Sequence, residues 1–280
     1  MKVLTGVSLL ASLASAVSVD IGKRDSPLDV KLEMVGNTAV KASIINNGET
    51  DLKLFKTGSF LDEAAVEKVD VFQANSKVAF EGIRLRALTT DLAEDVFETI
   101  GARATLETTF DIAQTYDLSG GGVVDLSSEG VFAYAEPGQE RRDGCGSSTS
   151  SVRSTVSGVF NRVASECGSS SSGVARYSCS DVYGACASNV LAYTVPSASF
   201  MVNCPLYFSG LPALTRTCHG QDQAITTLHE VTHLSQIASA EDFGTYGYNG
   251  VRGLSAAQNL RHADTYTSFR ENVNHVMTTC

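Results

Sequence analysis

Three residues of this chain have the types and spacing for metal chemistry: His229, Glu230 and His233, within Thr227-Leu228-His229-Glu230-Val231-Thr232-His233-Leu234. Residues four apart on an α-helix lie one turn above each other on one face. Two imidazoles so placed can hold one zinc ion. The carboxylate beside them can reach a metal-bound water rather than the metal itself. Ala224, Leu228, Val231 and Ala238 follow the spacing of a buried stripe, which would give the pair a helix to stand on. The bland alternative is two histidines on the polar face of an ordinary helix, and the stripe argues against it.

Catalytic zinc takes three protein ligands and keeps a fourth position for water, so a carboxylate is still needed. Glu241, Asp242 and Asp264 all follow the motif. Zinc lowers the pKa of its water, Glu230 accepts the proton as that water attacks a peptide carbonyl, and the same carboxyl then protonates the leaving amine. The tetrahedral oxyanion needs a further donor, and Tyr207 and Tyr246 are the tyrosines considered for it.

The whole chain has 280 residues and a formal charge of −10, which argues against a general nucleic-acid binder and gives no reason to expect an anionic membrane as partner. Lys2 followed by an apolar run from Val3 to Val17 reads as a secretory signal, with Ala14-Ser15-Ala16 and Ala16-Val17-Ser18 as small-x-small cleavage sites. The run is too short to span a bilayer, so a secreted, extracellular protein is expected; a monomer is expected as well. All seven cysteines lie at or beyond 145, and an oxidising compartment favours three disulfides with one thiol left over.

Two dibasic pairs, Lys23-Arg24 and Arg141-Arg142, offer processing sites in polar surroundings. Composition changes at the second. Residues 20 to 142 hold 13 basic and 22 acidic residues and no His or Cys, whereas residues 143 to 280 hold 7 Arg, 9 acidic residues and no Lys. The expected organisation is a signal at 1–18, a β-rich segment at 19–142 and a second domain at 143–280.

The first of these alternates with period near two over Leu28 to Met34 and Ala39 to Ile44, with Gly36-Asn37 between them. Leu52 to Phe55, Val69 to Phe72, Val78 to Phe80, Thr105 to Phe110 and Val131 to Tyr134 continue the pattern, which predicts a β-sandwich. No catalytic constellation falls here, and its expected role is to escort or inhibit the second domain. In that second domain, Val152 to Ser165 predicts a helix and Asn189 to Val195 a strand. Ser255-Ala256-Ala257-Gln258 has the form of a capping box opening a last helix, whose stripe runs through Leu260, Ala263, Tyr266, Phe269, Val273 and Val276.

The stretch from Cys179 to Cys280 resembles the fungal deuterolysins, a family of aspzincin zinc endopeptidases. The resemblance rests on Ser178-Cys179-Ser180-Asp181-Val182-Tyr183-Gly184-Ala185-Cys186, Leu191 to Pro196, Cys218-His219-Gly220-Gln221-Asp222-Gln223-Ala224, the His229 to His233 motif, Tyr246-Gly247-Tyr248 and His262-Ala263-Asp264-Thr265-Tyr266. It implies an α+β protein, with a mostly helical zincin-type domain preceded by a propeptide, and one catalytic Zn²⁺. The preferred pairs among the cysteines that the family bridges are Cys145–Cys179, Cys186–Cys204 and Cys218–Cys280, leaving Cys167 odd. The resemblance also favours Tyr246 over Tyr207 as the oxyanion donor.

The family's Gly-Thr-x-Asp pattern, in which the Asp binds zinc, is represented here by Ser239-Ala240-Glu241-Asp242. Asp242 lies nine residues past His233, enough chain to leave the helix, turn and return, and is preferred to Glu241 and Asp264. Asp264 is expected mid-helix beside a core stripe, where a carboxylate is costly unless paired. It either orients a zinc-bound histidine or Tyr246, or pairs with a Lys or Arg just after the scissile bond. The second reading agrees with the family's preference for basic proteins such as histones and protamines. His219 is expected to be structural, and His262 and His275 to be surface or supporting residues.

The rival class is a secreted zinc-binding or surface interaction protein without activity. The retained Glu230 argues against it, because a structural zinc site has no use for a base beside two histidines.

Overall fold

The computed structural model describes residues 27–128, 134–135 and 149–268, apart from 91, 170, 216 and 218. The signal segment, both dibasic pairs, His275 and the cysteines at 145, 218 and 280 lie outside these residues. The class is α+β. Among the described residues no helix is long and apolar enough to cross a membrane.

The N-terminal part is built of short strands: β1 (Leu28–Met34), β2 (Ala39–Asn46), β3 (Leu52–Phe55), β4 (Asp70–Gln73), β5 (Ser76–Lys77), β6 (Arg84–Ala87), β7 (Phe97–Ile100), β8 (Thr105–Asp111), β9 (Val124–Ser127) and β10 (Tyr134–Ala135). They form three three-stranded antiparallel sheets, ordered β1-β2-β8, β10-β3-β7 and β5-β4-β9. In β2 the alternation seen in sequence is the alternation of burial: Val40, Ala42 and Ile44 are fully buried, and Lys41 and Ser43 between them are not. These residues pack with Leu52, Leu54, Val71 and Ile112 in one core. The turn at Asn46 is tied down by its own amide, which donates to the carbonyls of Thr50 and Gly101 at 2.8 and 3.0 Å.

β6 does not join these sheets. It pairs antiparallel with a strand of the C-terminal part, which contains α1 (Ser150–Cys167), β11 (Arg176–Ser178), β12 (Val190–Val195), β13 (Phe200–Asn203), α2 (Pro205–Gly210), α3 (Gln223–His233), α4 (Gly247–Val251) and α5 (Ala256–Asn259). The resulting sheet runs β11-β13-β12-β6, with β11 parallel to β13. β12 is therefore central, and its run Val-Leu-Ala-Tyr-Thr-Val is buried throughout, as a strand covered on both faces must be. Leu85 and Ala87 of β6 share a core with Val190, Tyr193 and Val202. A second core joins Val159 and Val163 of α1 to Leu228 and Val231 of α3 and to Tyr266.

The capping box at Ser255 is present, with the Ser255 hydroxyl accepting from the Gln258 amide and the Gln258 side chain accepting from the Ser255 amide. The long helix expected after it is not. α5 ends at Asn259, His262 forms an isolated parallel bridge with Glu241, and helix resumes only at 263–268. The carbonyls of Asp242 and Thr245 hold the His262 ring, at 2.9 and 3.1 Å from Nε2, and those contacts outweigh helix continuation. Asp264 thus begins a new helical turn instead of sitting mid-helix. Of the expected disulfides, Cys186–Cys204 is formed. Cys179 is a free, exposed thiol rather than the partner of Cys145, and Cys167 is also free.

Candidate metal centre

α3 is positioned from both ends. At its start, Asp222 caps the helix by accepting from the Ile225 amide at 2.7 Å, while its other oxygen accepts from the Thr215 amide at 3.0 Å. Ile225, Leu228 and Val231 bury one side, and His229, Glu230 and His233 are buried with them. At its end the chain leaves helical geometry at Leu234 and turns back through Ser239, at φ 49°. The Ala240 amide then bonds the Thr232 carbonyl at 3.0 Å. That return brings Asp242 to the histidine face.

The imidazole Nε2 atoms of His229 and His233 lie 3.0 Å apart, and Asp242 Oδ1 is 3.3 and 3.4 Å from them. Both Nδ1 atoms are engaged elsewhere: His229 Nδ1 donates to Asp264 at 2.6 Å, and His233 Nδ1 donates to the Ala240 carbonyl at 2.8 Å. The Nε2 lone pairs are thereby left facing each other and a carboxylate. Two imidazole lone pairs and a buried carboxylate oxygen offer no proton of their own to share, which suits a bound cation. Burial holds the His229 imidazole down at about 3, so it is neutral, as a ligand must be. Burial opposes the Asp242 anion, yet the two imidazoles outweigh it and keep this carboxyl well below its usual range.

Glu230 is fully buried, and burial pushes its carboxyl well above the usual range. The Thr194 hydroxyl on β12, 2.7 Å from Oε2, pulls the other way, as do the Arg86 side chain and main-chain amide. Among the described residues Oε1 has no hydrogen-bond partner. The Tyr246 hydroxyl is likewise buried without a partner, beside His229, with 6.4 Å between ring centroids. Burial, reinforced by the charge of Asp242, pushes this phenol well above its ordinary value, so it is protonated and able to donate. Tyr207, the other candidate, is bonded through its hydroxyl to Thr227 at 2.9 Å in a separate core with Leu191 and Leu211.

Glu241 turns away from the histidines to Arg261 at 2.8 Å and Lys77 at 3.4 Å. His262 is fully buried rather than on the surface; burial lowers its imidazole to about 4, and it braces the loop that carries Asp242. His219 stacks on Tyr248 with ring centroids 3.6 Å apart.

Asp264 is wholly buried. One oxygen receives the His229 ring and also the guanidinium of Arg86, and the other accepts from the Gly247 amide at 2.5 Å. The histidine partner considered for Asp264 from sequence is present, and the cation beside it is Arg86 of this chain rather than a Lys or Arg of a substrate. The cation belongs to the N-terminal part, from which no contribution to the site was expected. Arg86 and Thr194 are the participants that sequence reasoning missed. The alternation Ile83-Arg84-Leu85-Arg86-Ala87 was the available signal for a strand there.

A His-Glu-x-x-His helix completed by a returning carboxylate, with its glutamate buried beside the histidines, defines the site of a metalloendopeptidase. Residues 1–141 and 135–277 match the deuterolysin metalloprotease (M35) family, to which the chain belongs. Similar proteins include a neutral protease 2 homolog of Colletotrichum graminicola, 43% identical over 98% of this chain and 99% of its own length. Another, from Phaeosphaeria nodorum, is 45% identical over 95% and 96%. A neutral protease 2 homolog of Aspergillus oryzae is 37% identical over 98% of this chain.

Proposed function

We propose that this chain is a secreted zinc endopeptidase made as a precursor. In this reading residues 1–18 are the signal, 19–142 a β-rich, sandwich-like propeptide, and 143–280 the mostly helical zincin domain that hydrolyses protein substrates, with basic proteins favoured. It acts as a monomer, without nucleic acid or membrane as partner. The carrying observation is the convergence of His229 Nε2, His233 Nε2 and Asp242 Oδ1, with each Nδ1 already spoken for. These three residues would hold Zn²⁺, which when bound polarises a substrate carbonyl and acidifies a water.

The protein's own groups then have the following work. Glu230, buried beside the histidine face, accepts a proton from the attacking water and delivers it to the amine nitrogen of the departing peptide. Tyr246 donates its hydroxyl proton in a hydrogen bond to the oxyanion as charge develops there. Thr194 holds one oxygen of Glu230, leaving the other for the water. Asp264 fixes the His229 ring, and its remaining affinity for a guanidinium supports selection of Arg or Lys next to the scissile bond. A Cys218–Cys280 bridge would complete the mature domain beside Cys186–Cys204.

The test is chelator-sensitive hydrolysis of casein and of a histone by the processed protein. Absence of chelator-sensitive proteolysis from acid to neutral pH would sink the reading in favour of a non-catalytic zinc-binding protein.

A further inference from the structure

The edge of β12 nearest the metal centre is occupied by the chain's own β6. Thr194 stands opposite Arg84, Tyr193 opposite Leu85 and Ala192 opposite Arg86, all antiparallel, and the Leu88 amide donates to the Asn189 carbonyl at 2.8 Å. Beyond the strand, Gln221 continues the pairing with its side chain. Its Nε2 donates to the Ala87 carbonyl at 2.9 Å, and its Oε1 accepts from the Thr89 amide at 2.8 Å. These are the donor and acceptor that another strand would have offered, and Oε1 also accepts from the Thr89 hydroxyl at 3.1 Å. An extended peptide of any sequence could use them.

Arg86 lies between these two main-chain grips. Its main chain passes beside Glu230, and its side chain, 2% exposed, runs inward to Asp264 and lies 3.4 Å from His229. Gly58, also N-terminal, covers Tyr246 so closely that a Cβ there would strike the Tyr246 hydroxyl. A buried guanidinium is costly, and a simple interdomain contact has no need of one against the centre of a site.

We propose that β12 and Gln221 form the groove that takes an extended, arginine-bearing peptide, with Gln221 as a main-chain positioning residue, and that residues 84–89 fill this groove in the precursor as a substrate-like plug anchored by Arg86. The proposal rests on the endopeptidase reading of the same centre. It adds the direction of the bound chain, the residue that clamps it and the segment that blocks it.

The experiment uses the full-length, zinc-loaded chain carrying Glu230→Gln, so that nothing is cleaved. The probe is a fluorescein-labelled peptide with the sequence of residues 81–90, followed by anisotropy. With Arg86 intact the groove is filled and binding is weak. Arg86→Ala weakens the plug, and peptide affinity rises at least tenfold. Arg86→Gln, which keeps most of the packing volume, does the same if the alanine variant folds poorly. A peptide with alanine in place of its own Arg86 loses most of that affinity. Adding Gln221→Ala to the Arg86→Ala chain lowers affinity about fivefold with zinc content unchanged.

Equal binding to plugged and unplugged chains overturns the proposal, as does indifference to the peptide's arginine. Hydrolysis by the full-length Arg86→Ala chain with Glu230 restored separates the two readings. Binding without hydrolysis removes the endopeptidase and keeps the groove. Hydrolysis with arginine-independent binding removes the groove and keeps the endopeptidase.

Discussion

Asp264 Oδ1 lies 2.6 Å from His229 Nδ1, in a helical turn 35 positions further along the chain. The carboxylate sets which nitrogen of His229 carries the proton and therefore which one faces Asp242. Asp264→Asn can still touch Nδ1, but its amide lacks the charge, and in half its orientations it presents a donor. Partners of this kind contribute about 10- to 100-fold to metal affinity. Zinc competition against a chelator of known affinity should show a loss of that size. Unchanged affinity would mean that the contact does not orient the ring.

Glu230→Gln should keep the fold and the metal and lose catalysis. The amide fits where the carboxylate sits beside Thr194, and removes a buried group that costs more ionised than neutral. It cannot accept the proton of a water. A loss of about 10² to 10⁴ in kcat is expected, with zinc content unchanged by metal analysis. Near-wild-type turnover in the zinc-loaded variant would remove Glu230 from the role of base.

The helix bearing His229 was legible because its signals are local: a stripe through Leu228 and Val231, and two histidines one turn apart. β2 and β3 were legible for the same reason, since their alternation is printed in consecutive residues. β6 was not. Arg84 and Arg86 look like the wet face of an edge strand, and only the fold shows that one meets Glu67 and the other Asp264. The break at His262 was hidden too. Helical spacing through Ala263 and Tyr266 is intact, and what interrupts it is the pull of two carbonyls from the loop at Asp242 and Thr245.

The precursor reading makes a statement about the secreted protein's first residue. If Arg141-Arg142 is the processing site, the active species should begin near Asp143 and lack β6 with its Arg86. N-terminal sequencing of active material decides this. Full activity in a species that retains residues 25 to 142 would contradict both the boundary and the blocking role of the N-terminal part.

Asp181 should make the Cys186–Cys204 region sensitive to acid. Burial is the largest single influence and works against its charge, but the amides of Cys186 and Ala185, at 3.1 and 2.9 Å, and the Tyr193 hydroxyl, at 2.9 Å, together outweigh it and hold its pKa below the ordinary value. A carboxyl lowered in the folded state contributes stability that is fully present above its unfolded pKa, near 4, and is lost as pH falls through the lower folded value. The group is exposed, so screening keeps the effect to on the order of 1 kcal/mol. Thermal unfolding of Asp181→Asn should therefore come a few degrees early at neutral pH and converge on wild type toward pH 3. A constant gap across that range would assign the effect to shape rather than charge.

The third ligand is the sharpest test of the loop after α3. Glu241 and Asp242 are adjacent, yet the backbone sends them in opposite directions. Glu241 pairs with the Arg261 carbonyl through its amide and with the Arg261 and Lys77 side chains through its carboxylate. Asp242 is left facing the two imidazoles, while its own carbonyl is held by His262. Asp242→Ala should abolish tight zinc binding, because two histidines alone leave the set one ligand short. Glu241→Gln should bind zinc as wild type does and lose only part of its ion pairing. His262→Leu should fall between them: the loop loses its brace, and affinity drops without the ligand being removed. If Glu241→Gln lost zinc and Asp242→Ala kept it, the loop would have to turn the other way in solution, and the site drawn here would be wrong.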